Sequence, residues 1–399
     1  MTSLIITCDE PPRFPLNGNN RKAFEVIQAV QENYRVHIIA YPTGDSDWRS
    51  LQDQWTGFNV ECHRHFRREA FRHVRSLGQR LSLPTISRDF DREFQTVRNI
   101  VGREGASKIL IDFISGAPLL NKASGSGVVL SGHDCMSYLF EQEMRWANRL
   151  TAKFHYWFRR QFALNAERRF AHLAKRVHLV SERDALEFSR VNRRVQTTVI
   201  PIGGSMARSS DLIPYIERSR KLIWGNLGSE LIAIGLKSLL EAIWESGIKR
   251  MTDWHIIGKL PKDEALRLIP RILDLGLQYS SAVEKIGEFL GDTKVLVLPD
   301  AGGTGQKNRT LDGMSHGCCV MGLSEVFRGI PGCNGERGFE FDSYSALGKA
   351  MFELELYCTA LCSHNATGIF DKNFSSEVLN RMWCGLLGEV GDYRGFIQK

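Results

Sequence analysis

The segment Gly302-Gly303-Thr304-Gly305-Gln306-Lys307-Asn308-Arg309 sets three glycines and two cations directly after an apolar run, Val295-Leu296-Val297-Leu298-Pro299. Glycines let backbone amides approach an anion closely, and the start of a helix adds the positive end of its dipole. Lys307 and Arg309 can bring side-chain charge to the same anion, with Asn308 between them. Asp312 lies at i+3 from Arg309 on the same helix face, where an acid can take hydrogen bonds from sugar hydroxyls. Gly317 is a suitable C-cap for that helix. No Gly-Lys-Ser/Thr closes the segment, so it is not a Walker loop, and the dinucleotide fingerprint belongs after the first strand of a unit. A glycine-rich turn by its spacing alone is more often structural; the added Lys307, Asn308 and Arg309 turn the reading toward phosphate.

The elements that must position these residues follow one grammar of short apolar runs alternating with helical patterns. In the first half the runs are Leu4-Ile6, Val36-Ala40, Lys108-Ile111, Val128-Leu130, Val177-Val180 and Thr198-Ile200, with a helix expected over Arg21–Glu32. Ser205 to Arg220 reads as a linker, and the grammar restarts with Lys221-Trp224, Trp254-Ile257, Val295-Leu298 and Cys318-Met321. Continuous apolar runs spaced by helices predict parallel strands covered on both faces. The fold class expected is therefore α/β, with two Rossmann-like, doubly wound domains. The expected boundaries are 1–204, a linker at 205–220, 221–374, and a helical segment at 375–399. In open sheets ligands bind beyond the carboxyl ends of the strands, which places the expected site in a cleft between two facing sheets.

Composition narrows the class further. A chain of 399 residues, 43% hydrophobic and 24% charged, is too long for one comfortable core and too apolar to be disordered. Its sequence lacks an apolar run of membrane-spanning length, and Met1-Thr2-Ser3-Leu4 lacks the basic lead of a secretory signal. The nine cysteines are scattered without a zinc spacing or a C-x-x-C pair, so reduced thiols in a cytoplasmic protein are expected; Cys358, Cys362 and His364 are a weak metal candidate. The net charge of +7 is uneven, concentrated at residues 63–80 and again from Arg145 to Arg176. Such surfaces attract the phosphates of nucleic acid, anionic lipid or a nucleotide, and the alternative is a solvated helix face.

Gly305-Gln306-Lys307-Asn308-Arg309-Thr310-Leu311-Asp312-Gly313-Met314-Ser315-His316-Gly317 resembles the donor-site segment of group 1, family-4-like glycosyltransferases of the GT-B fold. The usual pattern there is Gly-(Thr/Ile)-x-Asn-Lys-x-Leu-Glu-Ala-Met-Ala-x-Gly. Ser131-Gly132-His133-Asp134 resembles the segment carrying that family's cleft histidine, and Trp224-Gly225-Asn226-Leu227-Gly228 and Ile256-Ile257-Gly258 match two earlier strand-end turns. The chain departs from the pattern where relatives carry two glutamates: Thr304 and Asp312 stand there, with Arg309 for lysine and Gly313 for alanine.

The resemblance implies transfer of a sugar from a nucleotide-diphosphate sugar to a glycan or lipid-linked acceptor, with retention and without a metal. The donor sugar is then a substrate, and no cofactor is expected. Lys307 and Arg309 would hold the leaving diphosphate, while Gly225, Asn226, Gly258, Gly303, Gly305, Asn308 and Asp312 would line the donor site. His133 would contact the sugar or relay a proton, and Gly18, Asn19 and Asp134 would face the acceptor. Gly18 and Gly258 read equally as turn glycines, and Asp134 equally as the cap of the next helix. The final segment is expected to return to the N-terminal domain. The basic tracts with Phe66, Phe71, Trp157 and Phe158 read as a peripheral contact with an anionic membrane, or else as packed aromatics. Competing readings are an epimerase of the same fold, an inactive glycosyltransferase-like protein, and a nucleic-acid binder using the arginine tracts. No stacking-aromatic signature supports the last, so no nucleic-acid partner is expected.

Overall fold

The computed structural model describes residues 2–13, 20–42, 44–66, 88–105, 107–147, 149–203, 213–247, 251–283, 286–357 and 360–393. Gly18, Asn19, Phe71 and the arginine tract from 67 to 80 lie outside them. The chain divides into two compact units, Met1–Ile202 with Ser376–Lys399, and Gly203–Ser375.

The first unit is built on seven strands: β1 (Ser3–Cys8), β2 (Arg35–Ala40), β3 (Val60–Arg64), β4 (Ser107–Asp112), β5 (Gly125–His133), β6 (Ala174–Leu179) and β7 (Thr197–Val199). Their order is β3-β2-β1-β4-β5-β6-β7, and every pairing is parallel. β1 and β4 are buried at every residue, as a strand covered on both faces must be. Alternate residues feed two cores. Ile5, Ile109, Ile111 and Leu130 point into one, and Leu4, Ile6, Leu110 and Val129 into the other. The helix Ser376–Glu389 joins the second core through Leu379, Trp383, Leu386 and Leu387, beside the helix Arg21–Val30.

The second unit holds β8 (Arg220–Trp224), β9 (Trp254–Ile257), β10 (Gln278–Ser280), β11 (Thr293–Leu298), β12 (Cys319–Leu323) and β13 (Phe339–Phe341). Their order is β10-β9-β8-β11-β12-β13, again all parallel. Both sheets thus reverse their winding once, between β1 and β4 and between β8 and β11. A crevice opens beyond the carboxyl ends of the strands at such a reversal.

The ten apolar runs read from the sequence all fall on strands. β3, β10 and β13 were not expected: β3 carries polar residues on both faces, and the other two have three residues each. Residues 213–220, read as linker, pack in the second unit. The buried Arg218 donates to Thr293 O at 3.3 Å and to His316 O at 2.7 Å, so a cation sits at the carboxyl end of the helix Asn308–Ser315. Among the described residues no helix is long and apolar enough to cross a membrane.

Candidate functional site

In the second unit the buried strand β11 delivers the chain to Pro299 and then to Asp300, which is 1% exposed. The loop that follows turns through Gly303 at φ 119° and Gly305 at φ 64°, where a side chain would be strained. A Cβ on Gly303 would also stand 2.6 Å from Lys307 Nζ. Lys307 is the N-cap of the helix Asn308–Ser315. That helix closes in a Schellman turn, with Gly317 at φ 68°, Gly317 N–H donating to Met314 O at 3.0 Å and Cys318 N–H to Gly313 O at 2.9 Å.

The charges of the loop converge on Asp300. Arg309 Nη2 donates to both carboxylate oxygens, at 2.9 and 3.0 Å. Lys307 Nζ donates to Gly302 O at 3.1 Å and lies 3.9 Å from Asp300 Oδ1. A third cation comes from the far side: the Arg328 guanidinium donates to Gly303 O and to the Glu325 carboxylate. Burial, with the Asp300 carboxylate nearby, pushes the Tyr344 phenol up, and its hydroxyl donates to Pro299 O at 3.4 Å. Three buried polar atoms in this segment lack a hydrogen-bond partner: Thr304 Oγ1, Asn308 Oδ1 and Arg309 Nε. Buried polar groups are nearly always paired, so these three leave hydrogen-bonding capacity in the loop and helix start that water or a polar ligand can take up. Asp312 is buried one turn further on.

The neighbouring turns close on the same edge of the sheet. Gly225 N–H donates to Ile257 O at 3.2 Å, and a Cβ there would meet Ile232 at 2.6 Å and Pro299 at 3.7 Å. Gly258 is glycine because a Cβ would stand 2.2 Å from Gly225 O, which is the turn reading of that residue. Asn226 is exposed, and its carbonyl accepts from Ser229 N–H at 2.8 Å. Gly303, Gly305, Lys307, Asn308 and Arg309 therefore share one loop and helix start, beside the turns of Gly225 and Gly258 at the β8/β11 reversal.

In the first unit His133 ends β5 and Asp112 ends β4. His133 Nε2 lies 2.7 Å from Asp112 Oδ1, and both residues are buried. His133 and Phe113 are the non-glycine residues with positive φ among those described, at 60° and 71°, and their rings meet edge-on at 5.3 Å. Two such residues on neighbouring strand ends hold strain of the kind that clusters at ligand sites. Lys22, at the start of its helix, is also buried and donates to Pro201 O at 2.9 Å; burial drives its amine down to about 8.

Asp134 does not cap the following helix. The cap residue of Met136–Trp146 is Cys135, without a side-chain bond, and distant acids take its free amides. Asp184 Oδ1 accepts from Cys135 N–H and Glu167 Oε1 from Ser137 N–H, each at 3.1 Å. Burial pushes the Glu167 carboxyl up to about 7, against the opposing bonds from Ser137. Cys358 of the cysteine–histidine candidate lies outside the described residues; of the other two, Cys362 is buried, its Sγ 3.6 Å from Cys319 Sγ, and His364 is exposed.

Sequence reasoning did not name Asp112, Asp300, Arg328 or Lys22. Asp112 and Asp300 each follow an apolar run by one or two residues, a signal that was legible. Arg328 and Lys22 carry no such signal.

No protein-family model matches the chain, and no curated protein matches it in sequence. Solved structures do match. Sucrose-phosphate synthase from Thermosynechococcus elongatus superposes with a TM-score of 0.70 at 14% identity, over 98% of this chain and 99% of that one. Anabaena HepE in complex with UDP gives 0.67 at 15%, over 98% and 100%. A glycosyltransferase from Rickettsia africae gives 0.63 at 12%, over 97% and 98%. The likeness is one of fold, and it is the fold that the donor-segment resemblance implied: this chain has the GT-B fold, two Rossmann-like domains in one polypeptide.

Proposed function

We propose that the protein is a glycosyltransferase that moves a sugar from a nucleoside-diphosphate sugar to a glycan or lipid-linked acceptor. The observation that carries this reading is the β11 loop, where Lys307, Arg309 and Arg328 surround a turn holding three unpartnered buried polar atoms. Departure of a nucleoside diphosphate concentrates negative charge at the leaving group, and preorganised cations stabilise that charge as it develops. Lys307 and Arg309 take this role, with backbone amides at Gly303 and Gly305 beside them; the Gly225 amide is held by Ile257 O, and that glycine serves through its close packing instead. Fixed cations supply the neutralisation a metal ion would otherwise bring, and the mechanism is metal-independent and retaining in this reading. Asn226, Gly258, Asn308 and Asp312 complete the donor site, in which the shorter Asp312 replaces the glutamate of the resembled pattern.

His133, oriented by Asp112, contacts the sugar or moves a proton at the reacting centre, and Asp134 faces the acceptor; Gly18 and Asn19, outside the described residues, are assigned to the acceptor by the sequence resemblance alone. Among proteins of like fold, Anabaena HepE was solved with UDP-glucose, and TarM from S. aureus with UDP and alpha-GlcNAc-glycerol. Contact with an anionic membrane from the cytoplasmic side fits the helix Leu150–Arg169. Leu150, Phe154 and Trp157 are exposed along one stripe, with the exposed cations Arg149 and Lys153 near its start. Sedimentation with anionic vesicles should carry the protein down and lose the Trp157→Glu variant; equal sedimentation of both removes the membrane from the account.

The test of activity is incubation with a panel of nucleotide sugars while free nucleoside diphosphate is measured. One donor family should release its diphosphate, slowly to water and faster with an acceptor glycan present. Binding of a nucleotide sugar without turnover of any donor would make the chain an inactive relative and overturn the proposal.

A further inference from the structure

Three side chains on the outer strands of the first unit converge although they are far apart in sequence. His37 on β2 and Glu61 on β3 are register partners, and His63, two residues beyond Glu61, projects from the same face. His37 Nδ1 lies 3.3 Å from His63 Nε2 and 3.5 Å from Glu61 Oε2, and His63 Nε2 lies 3.6 Å from Glu61 Oε1. A tetrahedral ion with nitrogen and oxygen ligands at roughly 2.0–2.1 Å has ligand–ligand edges of about 3.3–3.4 Å. The two imidazole nitrogens stand at that separation, and the Glu61 carboxylate sets one oxygen near each of them, Oε2 toward His37 and Oε1 toward His63, so that one of the two can complete the set.

The surroundings have the form of a metal-binding shell. His37 is fully buried, and its other ring nitrogen, Nε2, has no hydrogen-bond partner. That nitrogen faces Glu104 Oε1 at 3.9 Å, so a carboxylate stands behind the histidine as one commonly does where imidazole binds a metal. Arg103 Nη2 holds Glu61 Oε2 at 2.7 Å, and Arg35 Nη2 stands 3.6 Å from the same oxygen. These arginines orient the carboxylate and leave Oε1 toward His63.

We propose that His37, Glu61 and His63 form a binding site for a divalent transition-metal ion, with Zn2+ the best match to two imidazoles and a carboxylate. A fourth position remains for water. The ion would clip the edge strand β3 to β2, stabilising the sheet where strand pairing is weakest. The site lies within the first unit and is independent of the glycosyltransferase reading.

Full-length protein without a polyhistidine tag, stripped with chelator, should take up one equivalent of Zn2+ in calorimetric titration. His63→Ala and Glu61→Gln should each weaken that uptake at least about tenfold, and Glu104→Gln by about tenfold. With Co2+ in place of Zn2+, the wild type should show the visible bands of a tetrahedral site, absent in His63→Ala. The cobalt spectrum of the wild type decides the matter even where a variant folds poorly. Absence of tetrahedral bands, or equal zinc uptake by wild type and the two ligand variants, would reduce the cluster to a hydrogen-bonded histidine pair.

Discussion

His133 and Asp112 stand on the carboxyl ends of adjacent parallel strands with 2.7 Å between Nε2 and Oδ1, both buried, where Asp112 pairs in register with Ser131 two residues before the histidine. An acid in that position selects the tautomer of the ring and fixes its orientation, so that the other ring nitrogen keeps one direction and one role.

Asp112→Asn preserves shape and alters that selection. If His133 acts on the reacting sugar, kcat should fall on the order of a hundredfold while KM for the donor changes little. Steady-state kinetics read both quantities. A raised donor KM with kcat preserved would instead make the pair a structural support.

Glu167 gives a pH-dependent contribution to stability whose sign is fixed. Its folded-state value of about 7 lies above the ordinary 4.5, because burial penalises the carboxylate. Between those values the folded chain holds a proton that the unfolded chain releases, so the contribution is full below pH 4.5 and is lost as pH rises through 7. Glu167→Gln keeps an acceptor for Ser137 N–H and has no proton to lose. Relative to wild type, the variant should therefore gain about 3 kcal/mol in unfolding free energy between pH 4.5 and pH 8. Denaturant titrations at the two pH values measure the difference, and a variant that tracks the wild type at both contradicts it.

Gly313 stands where the resembled pattern has alanine, and the structure shows why. A Cβ there would lie 2.5 Å from Leu296 Cδ2 and 3.1 Å from Val320 Cγ2, both in buried strands under the helix. Gly313→Ala should lower stability by about 1–2 kcal/mol, overpacking outweighing the better helix propensity. A thermal-unfolding midpoint equal to or above the wild type's would show that the helix can shift outward at little cost.

Much of the architecture is legible because parallel strands buried on both faces are continuous apolar runs: Leu4-Ile6, Lys108-Ile111 and Val295-Leu298 need no partner to be recognised. β3 was not legible, since Val60-Glu61-Cys62-His63-Arg64 is partly exposed at every residue. The donor loop could be read because its glycines, cations and helix start lie within one short segment. Pairs that depend on strand register could not: His133 meets Asp112 across 21 residues, and His37 meets His63 across 26. Asp134 shows the same limit from the other side. A local capping preference lost to Glu167 and Asp184, carboxylates brought by distant helices to the same amides.

The measurement closest to the heart of the account is the thermal shift produced by UDP, GDP and ADP on wild type and on Arg309→Ala, each compared with its own ligand-free midpoint. One nucleoside diphosphate should stabilise the wild type by several degrees and the variant by much less, since Arg309 is held by Asp300 at the mouth of the loop that would take the phosphates. Equal shifts in both proteins would remove the loop's cations from the donor site and contradict the assignment.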